Sequence, residues 1–506
     1  MPPLLEGGTY FPKVMFIELP SLAMKVQVKR ISVRLNPDVR KVIPRFFNTG
    51  DERSRTLISR VMLLPDDQVN ELLLQVQQEF HKRYSNIKLI FEKHFELVKH
   101  LLTEKDRLIV TYERKLLIGS YFTMEYSLEH AALFNPSIVE DPDQSGTAAG
   151  EKKVIISFRA TGEGHISSLV FKRAKLDKNV QIHFEPSGKY MNQGRVTQQK
   201  RNNKSAFKEL LSHYPFPEEI RKDILSQLND TFSYKEIEAV LKKALHHVKT
   251  GMAKNKLKYD ILSLVNTSYE VHFLQESLIS ERVIFPVTFT EKNGIEDARF
   301  IKFTAEDGAV TYLATYTAYD GSFILPHLIE TKDFLHFKMS PLHGKTAVNK
   351  NLALFPRKIN GQYAMISRID GVNNYIMFSD DLYLWETATL LQQPVYPWEF
   401  VQIGNGGSPI ETEKGWLVIT HGVGPMRKYC LGASLFDLND PTKELGRLKE
   451  PILMPEEDEW HGYVPNVVYS CGAIIHQDYL FIPYAVSDYA TSFATIPLSI
   501  LLQAMS

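Results

Sequence analysis

Five short segments built to one plan constrain this chain more than any other feature. They are Phe134-Asn135-Pro136-Ser137, Glu296-Asp297-Ala298-Arg299, Leu354-Phe355-Pro356-Arg357, Gly407-Ser408-Pro409-Ile410 and Val464-Pro465-Asn466. Each reads as a turn or strand start, a central proline or alanine, and a following strand. Their centres at 136, 298, 356, 409 and 465 end on three nearly equal intervals of 58, 53 and 56 residues. A chain that repeats one β unit at that spacing is expected to form propeller blades. The first interval, 162 residues, fits the same period once a helical block of roughly 70 residues and its flanks are set aside as an insertion. The fold class expected is mainly β, a five-bladed β-propeller with a largely helical N-terminal region and a helical insertion.

A second apolar strand follows each frame, at 154–158, 312–317, 363–367, 416–420 and 479–484, and each runs into polar residues. Equivalent ends of equivalent strands share a face, so Arg159, Asp320, Arg368, His421 and Asp488 are expected to converge near Asp297. Asp297 stands between Glu296 and Arg299 inside an apolar run. A buried carboxylate costs several kcal/mol unless a cation or ligand compensates it, so charge in that place marks a candidate site. A ring of polar groups around a funnel suits a polyhydroxylated ligand, whose hydroxyls need donors and acceptors at fixed positions.

The remaining chain reads as follows. Residues 1–118 form a largely helical accessory region, 119–194 the first blade, 195–266 the helical insertion and 267–506 the other blades. Asp66 and Asp67 after Pro65 start one helix, Pro217 opens another, and Ser233 with Glu236 forms a capping box. Two amphipathic blocks, each too small to bury its own stripe, are expected to pack on one another as a single layer, and such a layer suits a homo-oligomer contact. Between 195 and 208 the basic residues Arg195, Lys200, Arg201, Lys204 and Lys208 read as a solvated linker. Lysines and arginines number 59 and acids 59, a balance that points to no nucleic-acid partner. The two cysteines, Cys430 and Cys471, lack the spacing of a disulfide framework or a zinc site, so no metal is expected. Glu6, Lys13 and Glu18 interrupt the first segment, and no apolar run reaches the ~18 residues of a membrane span. A cytoplasmic protein without a membrane partner is the expectation.

Outside the insertion, residues 119–502 resemble the inverting β-mannoside phosphorylases and β-1,2-mannosidases of glycoside hydrolase family 130, a group of five-bladed propellers. The resemblance rests on Ile295-Glu296-Asp297-Ala298-Arg299, similar to the family's Glu-Asp-Pro-Arg with alanine for proline, and on Lys350-Asn351-Leu352-Ala353-Leu354-Phe355-Pro356. Gly415-Trp416-Leu417 with His421-Gly422-Val423, and Tyr463-Val464-Pro465-Asn466-Val467-Val468, extend it. It implies that Asp297 is the general acid, protonating the glycosidic oxygen by way of a mannose hydroxyl. It implies further that Asn135, Arg159, Lys350 and Asp488 hold the mannosyl unit of a small oligosaccharide. Glu296 and Arg299 then either orient Asp297 or touch substrate, and Arg368 and His421 face the channel.

Inversion needs a nucleophile opposite the acid. Water requires a carboxylate base ~6.5–9.5 Å away, whereas phosphate requires cations and no base. The loops at Tyr319-Asp320-Gly321 and Trp385-Glu386-Thr387 carry acids where family phosphorylases tend to carry bases, so Glu386, with Glu399 second, is the candidate base and hydrolysis the favoured outcome. Phosphorolysis, with inorganic phosphate as co-substrate, is the alternative, because Arg368, His421, Arg427 and Lys428 can assemble an anion site. A sugar-binding propeller without catalysis is the second alternative. No other cofactor is expected.

Overall fold

The computed structural model describes residues 26–505 apart from 85, 189, 199, 200, 247, 249–251 and 266. Glu6, Lys13, Glu18 and Lys200 lie outside the described residues. The chain is mainly β. Each recurring frame opens an antiparallel meander, and the described residues contain five of them. The first runs through Ala132–Glu140, Lys152–Thr161, Ser167–Leu176 and Ile182–Phe184, and the second through Gly294–Thr304, Val310–Tyr319, Ile324–Thr331 and His336–Pro341. The third comprises Ala353–Leu354, Tyr363–Ser367, Asn374–Ser379 and Thr389–Gln392, and the fourth is built around Gly415–Val423, Tyr429–Phe436 and Glu444–Arg447.

The fifth meander is completed from the other end of the chain. Tyr479–Val486 pairs with Ala490–Pro497, whose free edge is taken by Lys29–Leu35, with Lys29 opposite Thr495 and Leu35 opposite Thr491. Residues 29–35 of the 1–118 region are therefore part of the β architecture and cover an edge that would otherwise present unpaired backbone groups. Inner strands such as Gly415–Val423 are buried at every position rather than alternately, because both of their faces are packed.

The two helical blocks do not form one layer. Helices at Asp51–Met62, Asp66–Phe80, Ile87–Val98 and Tyr112–Tyr121 bury Ile58, Val69, Phe95 and Leu117 among themselves. The insertion helices Lys204–Ser212, Glu218–Gln227 and Tyr234–Ala244 bury Phe207, Leu211, Ile237 and Leu241 in a core shared with Phe171, Tyr312 and Phe337 of the first two meanders. The meanders thus supply the partner surface that the insertion stripe needs. The insertion is also stitched in by backbone, since Tyr269–His272 lies between Arg195–Gln198 and the outer strand His336–Pro341. The Ser233–Glu236 capping box forms in both directions, at 3.3 and 2.6 Å.

Candidate active site

At the ends of the inner strands lies a pocket of about 170 Å3, lined by Asn135, Arg159, Asp297, Lys350, Arg368, His421 and Asp488 together with Asn351, Gln402, Arg427, Tyr429 and Tyr469. Two β-bulges aim its central pair. The register slips between Phe134 and Ser137 in the first meander and between Glu296 and Arg299 in the second. The residues in the slips, Asn135 and Asp297, take left-handed backbone with φ of 47° and 55°. Non-glycine residues hold that conformation at a cost of about 1–3 kcal/mol each, and a bulge redirects a side chain that a regular strand would send elsewhere. The asparagine amide Nδ2 then donates to Asp297 Oδ1 over 2.6 Å, joining two frames 162 residues apart.

Cations complete the frame around Asp297. Arg159 Nη1 donates to Asp297 Oδ1 at 3.3 Å and its Nη2 to Glu296 Oε1 at 2.6 Å, while Lys350 Nζ donates to Glu296 Oε2 at 2.7 Å. Glu296, outside the pocket lining, thus fixes the two cations that face it. Arg299 also works from behind. Its Nη1 donates to the Asp297 backbone carbonyl at 3.1 Å, its Nε to Asn405 Oδ1 at 3.1 Å and its Nη2 to Tyr469 Oη at 2.6 Å, an arrangement that holds the bulge in place. Burial pushes the Asp297 carboxyl up, but the charges of Arg159, Lys350 and Arg299 outweigh it and hold its pKa below the ordinary aspartate value. Asp488 shows the opposite balance: burial, reinforced by Asp297, prevails over Arg159 and Arg427 and raises its carboxyl to about 7.

The same pocket is also lined by His421, Arg368 and Arg427. His421 Nδ1 lies 2.9 Å from the Asn405 carbonyl, which assigns it the proton and leaves Nε2 to accept from Arg368 Nη1 at 3.3 Å. Burial, then the charges of Arg368 and Arg299, keep that imidazole neutral, well below its usual range. Arg368 is buried, its pKa is lowered chiefly by desolvation, and among the described residues no carboxylate bonds it and its Nε has no partner. Arg427, at φ 54°, lines the pocket without an ion pair among the described residues.

Three expected residues are not brought here. Glu386 is half-exposed and lies 3.8 Å from Lys345 outside the pocket lining. Glu399 is fully buried in its own turn, where Oε1 accepts from the Val395 and Tyr396 amides at 2.8 and 3.0 Å and from Arg447 Nη2 at 2.6 Å. It belongs to a repeated structural role, since Glu291 and Glu459 cap equivalent turns before the second and fifth meanders. Asp320 is diverted from the pocket: Oδ1 accepts the Ser322 and Phe323 amides, and Tyr214 of the insertion donates to Oδ2 at 2.8 Å. Asn351, Asn405 and Tyr469, which sequence reasoning did not single out, tie the third, fourth and fifth meanders together beneath the site, with Asn351 Nδ2 donating to Tyr469 Oη at 2.9 Å. Their signal was proximity alone, as Asn351 follows Lys350 and Asn405 opens the Gly406-Gly407 turn.

Buried carboxyls and cations from five meanders meet in one pocket, the kind of constellation that marks a candidate active site. The sequence model of a glycoside hydrolase 130 family, described as beta-1,4-mannooligosaccharide phosphorylase, matches residues 250–506. The chain belongs to that family and is an enzyme acting on β-mannosides, by phosphorolysis or by hydrolysis. A 1,2-beta-oligomannan phosphorylase from Thermoanaerobacter sp. (strain X514) is 34% identical over 247 residues, 48% of this chain and 78% of the relative. A beta-1,2-mannobiose phosphorylase from Listeria innocua serovar 6a is 35% identical over 212 residues, 40% of this chain and 58% of the relative. The family match begins after the first meander, so Asn135 and Arg159 join the site on geometry. Among the described residues no helix is long and apolar enough to cross a membrane.

Proposed function

We propose that the chain is a β-mannoside phosphorylase, which transfers the non-reducing mannosyl unit of a small β-mannoside to inorganic phosphate with inversion. The observation that carries this reading is Arg368, a buried guanidinium that among the described residues has no carboxylate partner and an unpartnered Nε, lining the pocket together with Arg427. A desolvated fork of donors suits a phosphate dianion. Hydrolysis, favoured on sequence, needs a base, and both carboxylates assigned to that task lie outside the pocket lining. The five meanders are read as the blades of a five-bladed propeller whose strand ends surround the pocket, and the phosphorylase names of the relatives support the same choice.

In this mechanism Asn135, Arg159, Lys350 and Asp488 hold the mannosyl unit and Asp297 is the general acid. A phosphate oxygen attacks the anomeric carbon as its bond to the glycosidic oxygen breaks. That oxygen takes a proton from a mannose hydroxyl, which regains one from Asp297, giving α-mannose 1-phosphate and the shortened acceptor. An incoming dianion on Arg368 and Arg427 adds negative charge to the same pocket as Asp297, so phosphate binding itself raises the proton affinity of the acid. The test is incubation with β-1,2-mannobiose with and without phosphate: mannose 1-phosphate that forms only with phosphate is expected, and free mannose released at the same rate without it would refute the reading.

A further inference from the structure

The lining of the active-site pocket carries two carboxyls, Asp297 and Asp488, and the fold treats them in opposite ways. Asp297 is surrounded by donors: Oδ1 accepts from Asn135 Nδ2 at 2.6 Å and from Arg159 Nη1 at 3.3 Å, an arrangement that favours the ionised form. Asp488 has none. Among the described residues its carboxyl makes no hydrogen bond and no ion pair, although its backbone is tightly fixed. Ser487 and Asp488 are consecutive left-handed residues, with φ of 49° and 48°. The Ser487 amide donates to the Val467 carbonyl at 2.7 Å, the Val464 amide to the Ser487 carbonyl at 3.0 Å, and Ser487 Oγ to the Glu459 carbonyl at 2.6 Å. Non-glycine residues keep that backbone only where their surroundings enforce it. The charged groups acting on Asp488 are Arg159 of the first meander, Glu296 and Asp297 of the second and Arg427 of the fourth, while Lys350, Arg368 and the neutral His421 line the rest of the pocket. Burial, with the negative charges of Asp297 and Glu296, outweighs Arg159 and Arg427 and raises Asp488 to about 7, whereas Asp297 stays below the ordinary aspartate value.

We propose that Asp488 is the proton store of the site: the two carboxyls hold one proton between them, at rest on Asp488, and Asp297 receives it before the reaction. The proposal rests on the reading of Asp297 as the general acid. The transfer runs through a hydroxyl of the bound mannosyl unit, which takes the Asp488 proton and gives its own to Asp297. Ionised Asp488 then raises the proton affinity of Asp297, because two negative charges in one small pocket are disfavoured. Once Asp297 has passed its proton towards the glycosidic oxygen, the proton of the attacking hydrogen phosphate returns to Asp488. The enzyme ends as it began, with no proton gained or lost.

The test is the pH dependence of kcat/KM for the mannoside, at saturating phosphate, in the parent and in Asp488→Asn. With one shared proton, the protonated fraction of Asp297 is constant below about pH 7 and falls tenfold per pH unit above it. In the variant Asp297 titrates alone from its low value, so the fraction falls tenfold per unit throughout. The ratio of parent to variant is therefore expected to rise about tenfold per unit from about pH 5 to 7 and to level off above, with the titration of phosphate itself cancelling. Asp488→Ala removes the same proton and is expected to give the same curve. A ratio that does not change with pH, or one that falls above pH 7, would make Asp488 a sugar ligand only and overturn the proposal. The rate is read as mannoside consumed, whatever the nucleophile, so failure of the phosphorylase reading is seen separately, in the product assay.

Discussion

Replacing Arg368 by alanine separates phosphorolysis from every other use of this pocket. Among the described residues Arg368 makes no ion pair, and its side chain donates to a neutral imidazole at 3.3 Å. Truncation therefore removes a desolvated cation without stranding a carboxylate, and the melting temperature is expected to hold or rise. Against a phosphate dianion the same guanidinium supplies charge-assisted hydrogen bonds, each worth about 1.5–3 kcal/mol. At about 1.4 kcal/mol per decade, loss of one such bond lowers kcat/KM for phosphate about 10–150-fold, and loss of a bidentate pair lowers it further. Arg368→Lys keeps the charge but loses the fork, and is expected to fall between the two. The assay is initial-rate release of mannose 1-phosphate with phosphate varied at saturating mannoside, repeated with mannoside varied at saturating phosphate. If the alanine variant raised KM for the mannoside and left KM for phosphate untouched, Arg368 would be a sugar ligand and the reasoning would fail.

Asp297→Asn keeps the side-chain shape but no longer transfers a proton, so turnover is expected to fall by a factor on the order of 10²–10⁴ with mannoside binding and melting temperature preserved; early melting with normal activity per folded molecule would assign Asp297 a structural role. Asp488, raised to about 7 in the native state against about 4 unfolded, stabilises the fold fully only below the unfolded value, and that contribution is lost as pH rises through about 7. The melting advantage of Asp488→Asn over the parent is therefore expected to be smallest near pH 4 and largest by pH 8; a difference independent of pH would contradict it. Glu399→Ala strands the buried Arg447 and is expected to cost about 3–5 kcal/mol by denaturant unfolding with kcat intact per folded protein, whereas Glu386→Gln changes neither; a selective loss of kcat in either variant would restore it as a base.

The repeat was readable because each meander is a local unit: turn residues and alternating strands within about 55 residues suffice to write it, and their spacing survives in one dimension. The same periodicity put Arg159, Arg368, His421 and Asp488 at equivalent strand ends near Asp297, the family resemblance added Asn135 and Lys350, and the structure gathers all seven into one pocket. What the periodicity could not separate was the use of individual carboxylates. Glu399 and Asp297 each stand in an apolar setting next to a turn, yet Glu399 faces its own backbone and Arg447 while Asp297 is turned into the pocket by a bulge. Asp320 has the period of a site residue, but a tyrosine 106 positions away claims it. Long-range choices of this kind, with Lys29–Leu35 closing the last meander and the insertion packing on strands rather than on the other helices, depend on which surfaces meet in space. An amphipathic stripe specifies that it must be covered, not by what, and a carboxylate specifies a need for donors without naming them, so pairing and partner were settled only by the tertiary fold.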